Sequence, residues 1–194
     1  MALNTLLEQE GHAALAYDLI RPVASNGSAG LLKLGFAISA SDANFKPLQQ
    51  RFIRLYQDNI AQYSTLFDGM AEVLDTLEKA KIPWGIVTNK PAFLTDPLVK
   101  LLNLTLRTPC IVSGDTTAHA KPHPAPLLHA CGILSISPDH CLYIGDAARD
   151  IEAGKNAKMT TIAARYGYIA DDDDIDSWQA NGIIDHPTDL LKWI

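Results

Sequence analysis

The chain has few basic residues and no cluster of them. Its 194 residues include 16 Lys and Arg against 22 Asp and Glu, which gives a formal net charge of −6. A protein that binds nucleic acid needs Lys and Arg gathered on one surface, because contacts to the phosphate backbone supply much of the affinity. The scattered basic residues therefore argue against nucleic acid as a partner.

Long apolar runs and paired cysteines are also missing. A membrane-spanning helix needs about 20 consecutive apolar residues, and no segment approaches that length. Residues 1–12 show no basic region followed by an apolar one, so they do not have the pattern of a signal peptide. The three cysteines, at 110, 131 and 141, lie in apolar contexts and are interpreted as reduced thiols. These features predict a cytoplasmic protein with no membrane partner.

The first third of the chain has helical periodicity and no strand pattern. The leucines at 3, 6 and 7 begin an amphipathic segment that continues through Leu15, and residues 45–56 keep helical spacing in a later one. The segment Arg21–Ser28 is predicted to be a loop because it contains Pro, Gly, Asn and Ser. We predict an all-helical domain over residues 1–63.

From residue 64 onwards, short apolar runs alternate with helical patterns. Strands are predicted over 82–87, 110–112, 141–144 and 160–164, and helices over 70–81, 93–102 and 127–131 and from 150. Asp68 is predicted to cap the first of these helices. Short strands that alternate with helices indicate parallel βαβ units. The predicted fold class is α/β, with a three-layer, Rossmann-like parallel-sheet core over 64–194.

Two predicted strand ends carry groups that suit phosphate. Thr88 and Asn89 follow the run that ends at Val87 and lead into a helix, whose N-terminus has partial positive charge. Lys121 stands just before Pro122 and could neutralise phosphate charge. Each feature alone has a simpler reading, a helix N-cap for the first and a solvated loop lysine for the second.

Asp146 and Asp150 follow the run that ends at Gly145. Their spacing directs two carboxylates to one point beyond the end of a strand, which suits a hard cation such as Mg²⁺. A turn followed by a helix cap also explains this pattern when it is taken alone. Thr88, Lys121, Asp146 and Asp150 nevertheless occur in order at successive strand ends, where open α/β sheets bind ligands.

These motifs resemble those of the haloacid dehalogenase-like superfamily of phosphatases, in its phosphoglycolate-phosphatase branch. The matching segments are 87–91, 120–124, 144–150 and the tail 166–168. The resemblance covers almost the whole chain and implies that the helical segment 1–63 is a mobile cap. It also implies that Thr88 and Lys121 bind and polarise the transferring phosphoryl group, and that Asp146 and Asp150 hold or orient Mg²⁺.

The nucleophile motif of that superfamily does not occur in the chain. Members form an aspartyl-phosphate on the first Asp of a D-x-D-x-T motif, whose second Asp acts as general acid and base. The run Asp174–Ser177 fits only loosely and is predicted to be a surface loop. In the family the nucleophile strand lies between the strands predicted here at 82–87 and 141–144. We expect the resulting gap to close by repacking or by strand donation from another chain, or the natural protein to start upstream, and we favour the last.

Two further predictions concern side chains outside the strand ends. Arg21 lies in a loop that, by the resemblance, faces the active site, where it could bind a substrate carboxylate or a second polar group. A surface salt bridge is the alternative. His119 and His123 are four residues apart, but the two prolines beside them disfavour a helix, and a zinc site is not expected.

The function predicted from these features is Mg²⁺-dependent hydrolysis of a small phosphorylated metabolite, such as phosphoglycolate or a sugar phosphate. Thr88, Asn89 and Lys121 would bind phosphate. The alternatives are a catalytically inactive protein that still binds phosphate or Mg²⁺, and a phosphomutase of the same superfamily. The protein is expected to be a monomer or a dimer, with strand exchange as a route to the dimer.

Overall fold

The computed structural model describes residues 1–60, 62, 64–170 and 173–194. The described part of the chain divides into two compact units. One contains residues of 1–63 and 168–173, and the other contains residues of 64–167 and 174–194. The predicted domain boundary at residue 63 lies outside the described residues. The segment 168–173, predicted to be part of the second domain, groups with the first unit.

The first unit is built from helices. Helix α1 spans Ala2–Gln9, α2 spans Tyr17–Ile20, α3 spans Gly27–Phe36 and α4 spans Phe45–Asp58. A 3-10 helix, Arg21–Asn26, lies between α2 and α3. The helices of this unit bury one apolar cluster between them. Each leucine-sized side chain buried there stabilises the unit by about 1.5–3 kcal/mol. The members of the cluster are Leu3, Leu6, Leu7, Leu32, Phe45 and Phe52.

Two local predictions for this unit are wrong. Helix α1 ends at Gln9 and does not continue through Leu15, because Gly11 has a φ of 77° and the Asn4 carboxamide binds both backbone polar groups of Leu15, at 2.8 and 3.0 Å. The predicted loop at Arg21–Ser28 is instead helical. Pro22 lies in its first turn, where a missing N–H leaves no helical hydrogen bond unmade.

The second unit contains the strands. They are β1 at Ile86–Val87, β2 at Ile111–Val112, β3 at Leu142–Gly145, β4 at Thr160–Ala164 and β5 at Gly182–Ile184. The helices are α5 at Met70–Lys79, α6 at Ala92–Leu101, α7 at Ala125–Leu134 and α8 at Ala148–Asn156. All strand pairs are parallel, which confirms the predicted α/β class.

The sheet is in two pieces. Strand β1 pairs with β2, and β4 pairs with both β3 and β5. No backbone ladder joins β1 to β3 among the residues that the structure describes. On each face of the sheet, side chains from both pieces pack in the same apolar cluster. Ile86 and Ile144 pack in one apolar cluster with side chains of α5 and α6, whereas Val87 and Tyr143 pack in another with side chains of α7 and α8. The core therefore has three layers, with its sheet interrupted between β1 and β3.

Some boundaries in this unit differ from the predictions. The predicted strand 82–87 is reduced to the two residues of β1, and β5 was not predicted. Gly69, not Asp68, is the N-cap of α5, because its φ of 79° turns the chain into the helix. The predicted surface loop at Asp174–Ser177 contains a 3-10 helix, Ile175–Trp178, with two buried side chains. No helix in the described part of the chain is both long and apolar enough to span a membrane.

Candidate functional site

Lys121 is the centre of a group of polar side chains at the ends of β1 and β3. Its ammonium nitrogen lies 2.8 Å from Asp150 Oδ1 and 2.8 Å from the Tyr143 hydroxyl oxygen, and it donates to the Val87 carbonyl at 2.9 Å. The Lys121 and Asp150 side chains are only 8% and 7% exposed. The ammonium thus donates two hydrogen bonds, to Tyr143 and Val87, and its contact with Asp150 is an ion pair.

The Val87 carbonyl is available because of the break in the sheet. The N–H groups of Ile86 and Thr88 donate to β2 and its flanking residue Cys110. Successive residues of a strand point their polar groups to opposite sides, so the Val87 carbonyl points away from β2. It accepts from Lys121 and, at 3.3 Å, from the Tyr143 hydroxyl. Side chains thus bridge the two pieces of the sheet where a ladder is absent.

Thr88 follows β1 directly. Its N–H donates to the Val112 carbonyl at 2.9 Å, which fixes the backbone, and its hydroxyl oxygen accepts from the Lys90 N–H at 3.1 Å. That bond uses the oxygen as an acceptor and leaves the hydroxyl proton for another acceptor. Thr88 and Lys121 both adjoin Val87, so the structure brings these two predicted residues together.

The Asn89 side chain forms two hydrogen bonds with the backbone of Lys121. Its Nδ2 donates to the Lys121 carbonyl at 2.9 Å, and its Oδ1 accepts from the Lys121 N–H at 3.0 Å. Both ends of the carboxamide are therefore bonded to one backbone residue. The phosphate-binding role predicted for Asn89 stays a prediction, but its side chain is directed to the loop that carries Lys121.

Each predicted metal-binding carboxylate lies against a glycine. A β-carbon added at Gly145 would be 2.3 Å from Cβ of Asp150, and one added at Gly167 would be 2.2 Å from Cβ of Asp146. A side chain at either position would therefore force the neighbouring carboxylate to shift. Asp150 lies in the first turn of α8, where the positive end of the helix favours a carboxylate.

Burial and two carboxylates affect the pKa of Tyr143. Burial raises the pKa of Tyr143 well above its usual value of 10.0, and the negative charges of Asp150 and Asp146 raise it further, while Arg149 opposes them. Tyr143 is therefore a neutral phenol at ordinary pH. It can accept a hydrogen bond from Lys121 and donate one to Val87 at the same time.

The two carboxylates fit a hard divalent cation. Asp150 Oδ1 is buried and makes no hydrogen bond of good geometry; its contact with Lys121 is an ion pair. Within the described residues no group of three acidic, His or Cys side chains is placed to hold a metal ion. Mg²⁺ generally uses one or two carboxylates and retains several waters, so two carboxylates such as those of Asp146 and Asp150 would be enough protein ligands for it.

Two residues of this region were not predicted. Apart from a cysteine, Tyr143 is the only side chain with a polar group in the apolar run 141–144. A hydroxyl in such a run is the sequence feature that could have indicated Tyr143. Asp115 accepts from the Ala92 N–H at 2.8 Å, at the start of α6. This bond occupies a backbone N–H at the N-terminus of the helix that follows Thr88 and Asn89. No local pattern indicates a cap that comes from 23 residues further along the chain.

Three further side chains were named from the sequence, those of Arg21, His119 and His123. Arg21 belongs to the helical unit, where its guanidinium carbon is 4.8 Å from the centre of the Tyr168 ring. His119 and His123 have their ring centres 4.4 Å apart, and His123 Nδ1 accepts from the Ala125 N–H. The role of Arg21 in binding substrate stays a prediction.

The chain is similar in sequence to known proteins. The sequence profile of haloacid dehalogenase-like hydrolases matches residues 16–164. The chain is 39% identical over 191 residues to an N-acetylmuramic acid 6-phosphate phosphatase of Pseudomonas putida, a match that covers 98% of this chain and 86% of that protein. It is 37% identical over 190 residues to a phosphoglycolate phosphatase of Xanthomonas campestris, with coverage of 98% and 86%.

A solved structure shows the same fold. A predicted phosphoglycolate phosphatase from Haemophilus somnus superposes with a TM-score of 0.85 over 99% of this chain and 88% of that one, at 24% identity. The sequence profile and the two relatives match most of the chain, and the resemblance found in the motifs is confirmed. This chain belongs to the family of haloacid dehalogenase-like hydrolases.

Proposed function

We propose that the protein is a Mg²⁺-dependent phosphomonoesterase that acts on a small phosphorylated acid or sugar. The observation that carries this proposal is the enclosed Lys121–Asp150 pair, held next to Thr88 at the ends of β1 and β3. Two relatives with phosphatase names, at 39% and 37% identity, support the same chemistry.

The side chains of the site would have different roles in this reaction. The Lys121 ammonium would offset charge on the phosphoryl oxygens, and the Thr88 hydroxyl would donate to one of them. Asp146 and Asp150 would hold Mg²⁺, which supplies further charge neutralisation when it is bound. In the net reaction, water adds to phosphorus, the bond from phosphorus to the leaving oxygen breaks, and that oxygen takes a proton. In the family the nucleophile is an Asp of a D-x-D-x-T motif, and this motif does not occur in the 194 residues.

The missing motif favours one second candidate, a protein that binds phosphate and Mg²⁺ without turnover. The substrates named for the relatives, phosphoglycolate and N-acetylmuramic acid 6-phosphate, are the first to assay, together with simple sugar phosphates. Phosphate release with Mg²⁺ would be compared for the wild-type protein and Lys121→Ala. Release that falls at least about 100-fold in the variant supports the phosphatase, since oxyanion-stabilising groups contribute on this scale. Phosphate binding without release supports the second candidate.

A further inference from the structure

We propose that Asn89 is a positioning residue for Lys121, and that its side chain acts through that lysine rather than on phosphate. The functional part of this inference rests on the proposed function, because it concerns the affinity of the same site for a phosphoryl group. The structural part concerns only how one loop is held against the end of β1.

The geometry of the Asn89 carboxamide leaves little freedom. Oδ1 accepts from the Lys121 N–H at 3.0 Å and Nδ2 donates to the Lys121 carbonyl at 2.9 Å. The opposite orientation of the amide would place a donor against the N–H and an acceptor against the carbonyl, so it would lose both bonds. Two bonds to one backbone residue fix its orientation as well as its position.

Lys121 is held at both ends by neighbouring residues of the same strand end. Its backbone is bonded to Asn89, and its ammonium donates to the Val87 carbonyl at 2.9 Å. Thr88, the predicted phosphate ligand, lies between these two anchors in the chain. The bonds from the Asn89 carboxamide to the Lys121 backbone form a clamp, which sets the position of the lysine relative to the threonine.

The loop needs such a clamp because it has no regular structure of its own. Residues 113–124 contain turns and bends but no helix or strand. Lys121 also has a long side chain, with up to about 2 kcal/mol of rotamer entropy to lose when its ammonium is held in one place. A backbone that is already fixed reduces the number of conformations that must be excluded.

Two neighbouring contacts hold the same pair of loops but do not reach Lys121. The Gly114 N–H donates to the Lys90 carbonyl at 2.8 Å, and Asp115 accepts from the Ala92 N–H at 2.8 Å. A β-carbon at Gly114 would be only 2.3 Å from the Asn89 carbonyl oxygen, so the two backbones are in close contact. Among these three contacts, the Asn89 carboxamide is the one that orders Lys121.

The test is a double-mutant cycle with orthovanadate as the probe, in the full chain with Mg²⁺. We expect Asn89→Ala to weaken vanadate binding about tenfold, within the range of coupling energies inside one hydrogen-bond network. In a Lys121→Ala background the same change should have no further effect. An equal loss in both backgrounds would make Asn89 a direct ligand and overturn the proposal, as would the absence of any loss.

Asn181→Ala is the matched control. The Asn181 carboxamide accepts from the Thr161 N–H at 2.8 Å, a contact of the same kind at the start of β4. This variant should keep the wild-type affinity for vanadate.

Hydrogen exchange separates failure of the clamp from failure of the proposed function. If the wild-type protein does not bind vanadate, the proposed function fails, and exchange at the Lys121 amide decides the structural part. That amide should exchange at least about tenfold faster in Asn89→Ala and at the wild-type rate in Asn181→Ala, because loss of one hydrogen bond changes local opening on this scale. An unchanged rate in Asn89→Ala would overturn the clamp.

Discussion

The ammonium of Lys121 lies 2.8 Å from a carboxylate oxygen of Asp150, and both side chains are almost fully enclosed. A buried pair of this kind differs from a surface salt bridge, because solvent does not replace a lost partner. The pair joins the loop after β2 to the first turn of α8. It is therefore both a structural link and the centre of the candidate site.

Removing one member of this pair should destabilise the protein strongly. Lys121→Met leaves the Asp150 carboxylate buried without its partner, which is expected to cost about 3–5 kcal/mol of unfolding free energy. The double variant Lys121→Met/Asp150→Leu should cost less than that single change, since no unpaired charge remains. Urea unfolding without added divalent cations, followed by tryptophan fluorescence, measures both. Asp150→Leu completes the cycle, and a double variant that loses the sum of the two single effects would show that the charges are not coupled.

Gly145 should not tolerate even one added methyl group. Its β-carbon would lie 2.3 Å from Cβ of Asp150, so Gly145→Ala must displace that carboxylate. We expect overpacking to cost about 1–3 kcal/mol of stability and the affinity for Mg²⁺ to fall. Calorimetric Mg²⁺ titration measures the second effect.

Gly132→Ala is the control for that change. Gly132 lies within α7, and an added β-carbon there meets nothing within 4 Å. Alanine is the better helix former, so this variant should gain about 0.5–1 kcal/mol of stability and bind Mg²⁺ as the wild-type protein does. Equal losses of Mg²⁺ affinity in Gly145→Ala and Gly132→Ala would contradict the close contact with Asp150.

Stability should fall at alkaline pH, partly because of Cys131. Burial, followed by the nearby Cys141 thiol, raises the pKa of Cys131 from its ordinary value of 9.0 to about 12. The folded state therefore keeps a proton that the unfolded chain loses above pH 9. This contribution is fully present below that pH and is lost as the pH rises through the folded pKa. The slope is at most about 1.4 kcal/mol per pH unit.

Cys131→Ala removes this contribution to the pH dependence. The unfolding free energy would be measured as the pH rises from below 9.0 towards about 12, the two pKa values of this thiol. It should fall less steeply with pH in the variant than in the wild-type protein. Cys110→Ala is a useful comparison, since burial also raises the pKa of Cys110. Identical slopes for the wild-type protein and Cys131→Ala would show that this thiol ionises alike in both states.

The fold class could be predicted from the sequence because it depends on local alternation. Strand β4 at Thr160–Ala164 agrees with its prediction, since its first three residues, Thr160, Thr161 and Ile162, are β-branched and favour a strand. The strand predicted over 82–87 is too long at its start, because β1 pairs only with the two residues of β2 and therefore begins at Ile86. Pairing is a property of two segments and cannot be read from one.

The contacts within the candidate site were less predictable. Strand-end position indicated Asp150, which lies in the first turn of the helix after β3, because parallel strands bring their carboxyl ends to one edge, whereas Lys121 lies in the loop 113–124 after β2. The bonds from Asn89 to the Lys121 backbone join residues 32 apart, and the Tyr143 hydroxyl reaches the Val87 carbonyl across 56 residues. Those partners depend on the distances between loops, which no sequence period encodes.

The central claim is that Lys121, Asp146 and Asp150 serve one phosphate chemistry that depends on Mg²⁺. Its most direct test is the rate of p-nitrophenyl phosphate hydrolysis as a function of Mg²⁺ concentration, for the wild-type protein and Asp146→Asn. We predict hydrolysis that requires Mg²⁺ in the wild-type protein, and at least about a 100-fold lower rate at saturating substrate in the variant. Hydrolysis that is independent of Mg²⁺, or equal in the two proteins, would contradict the account.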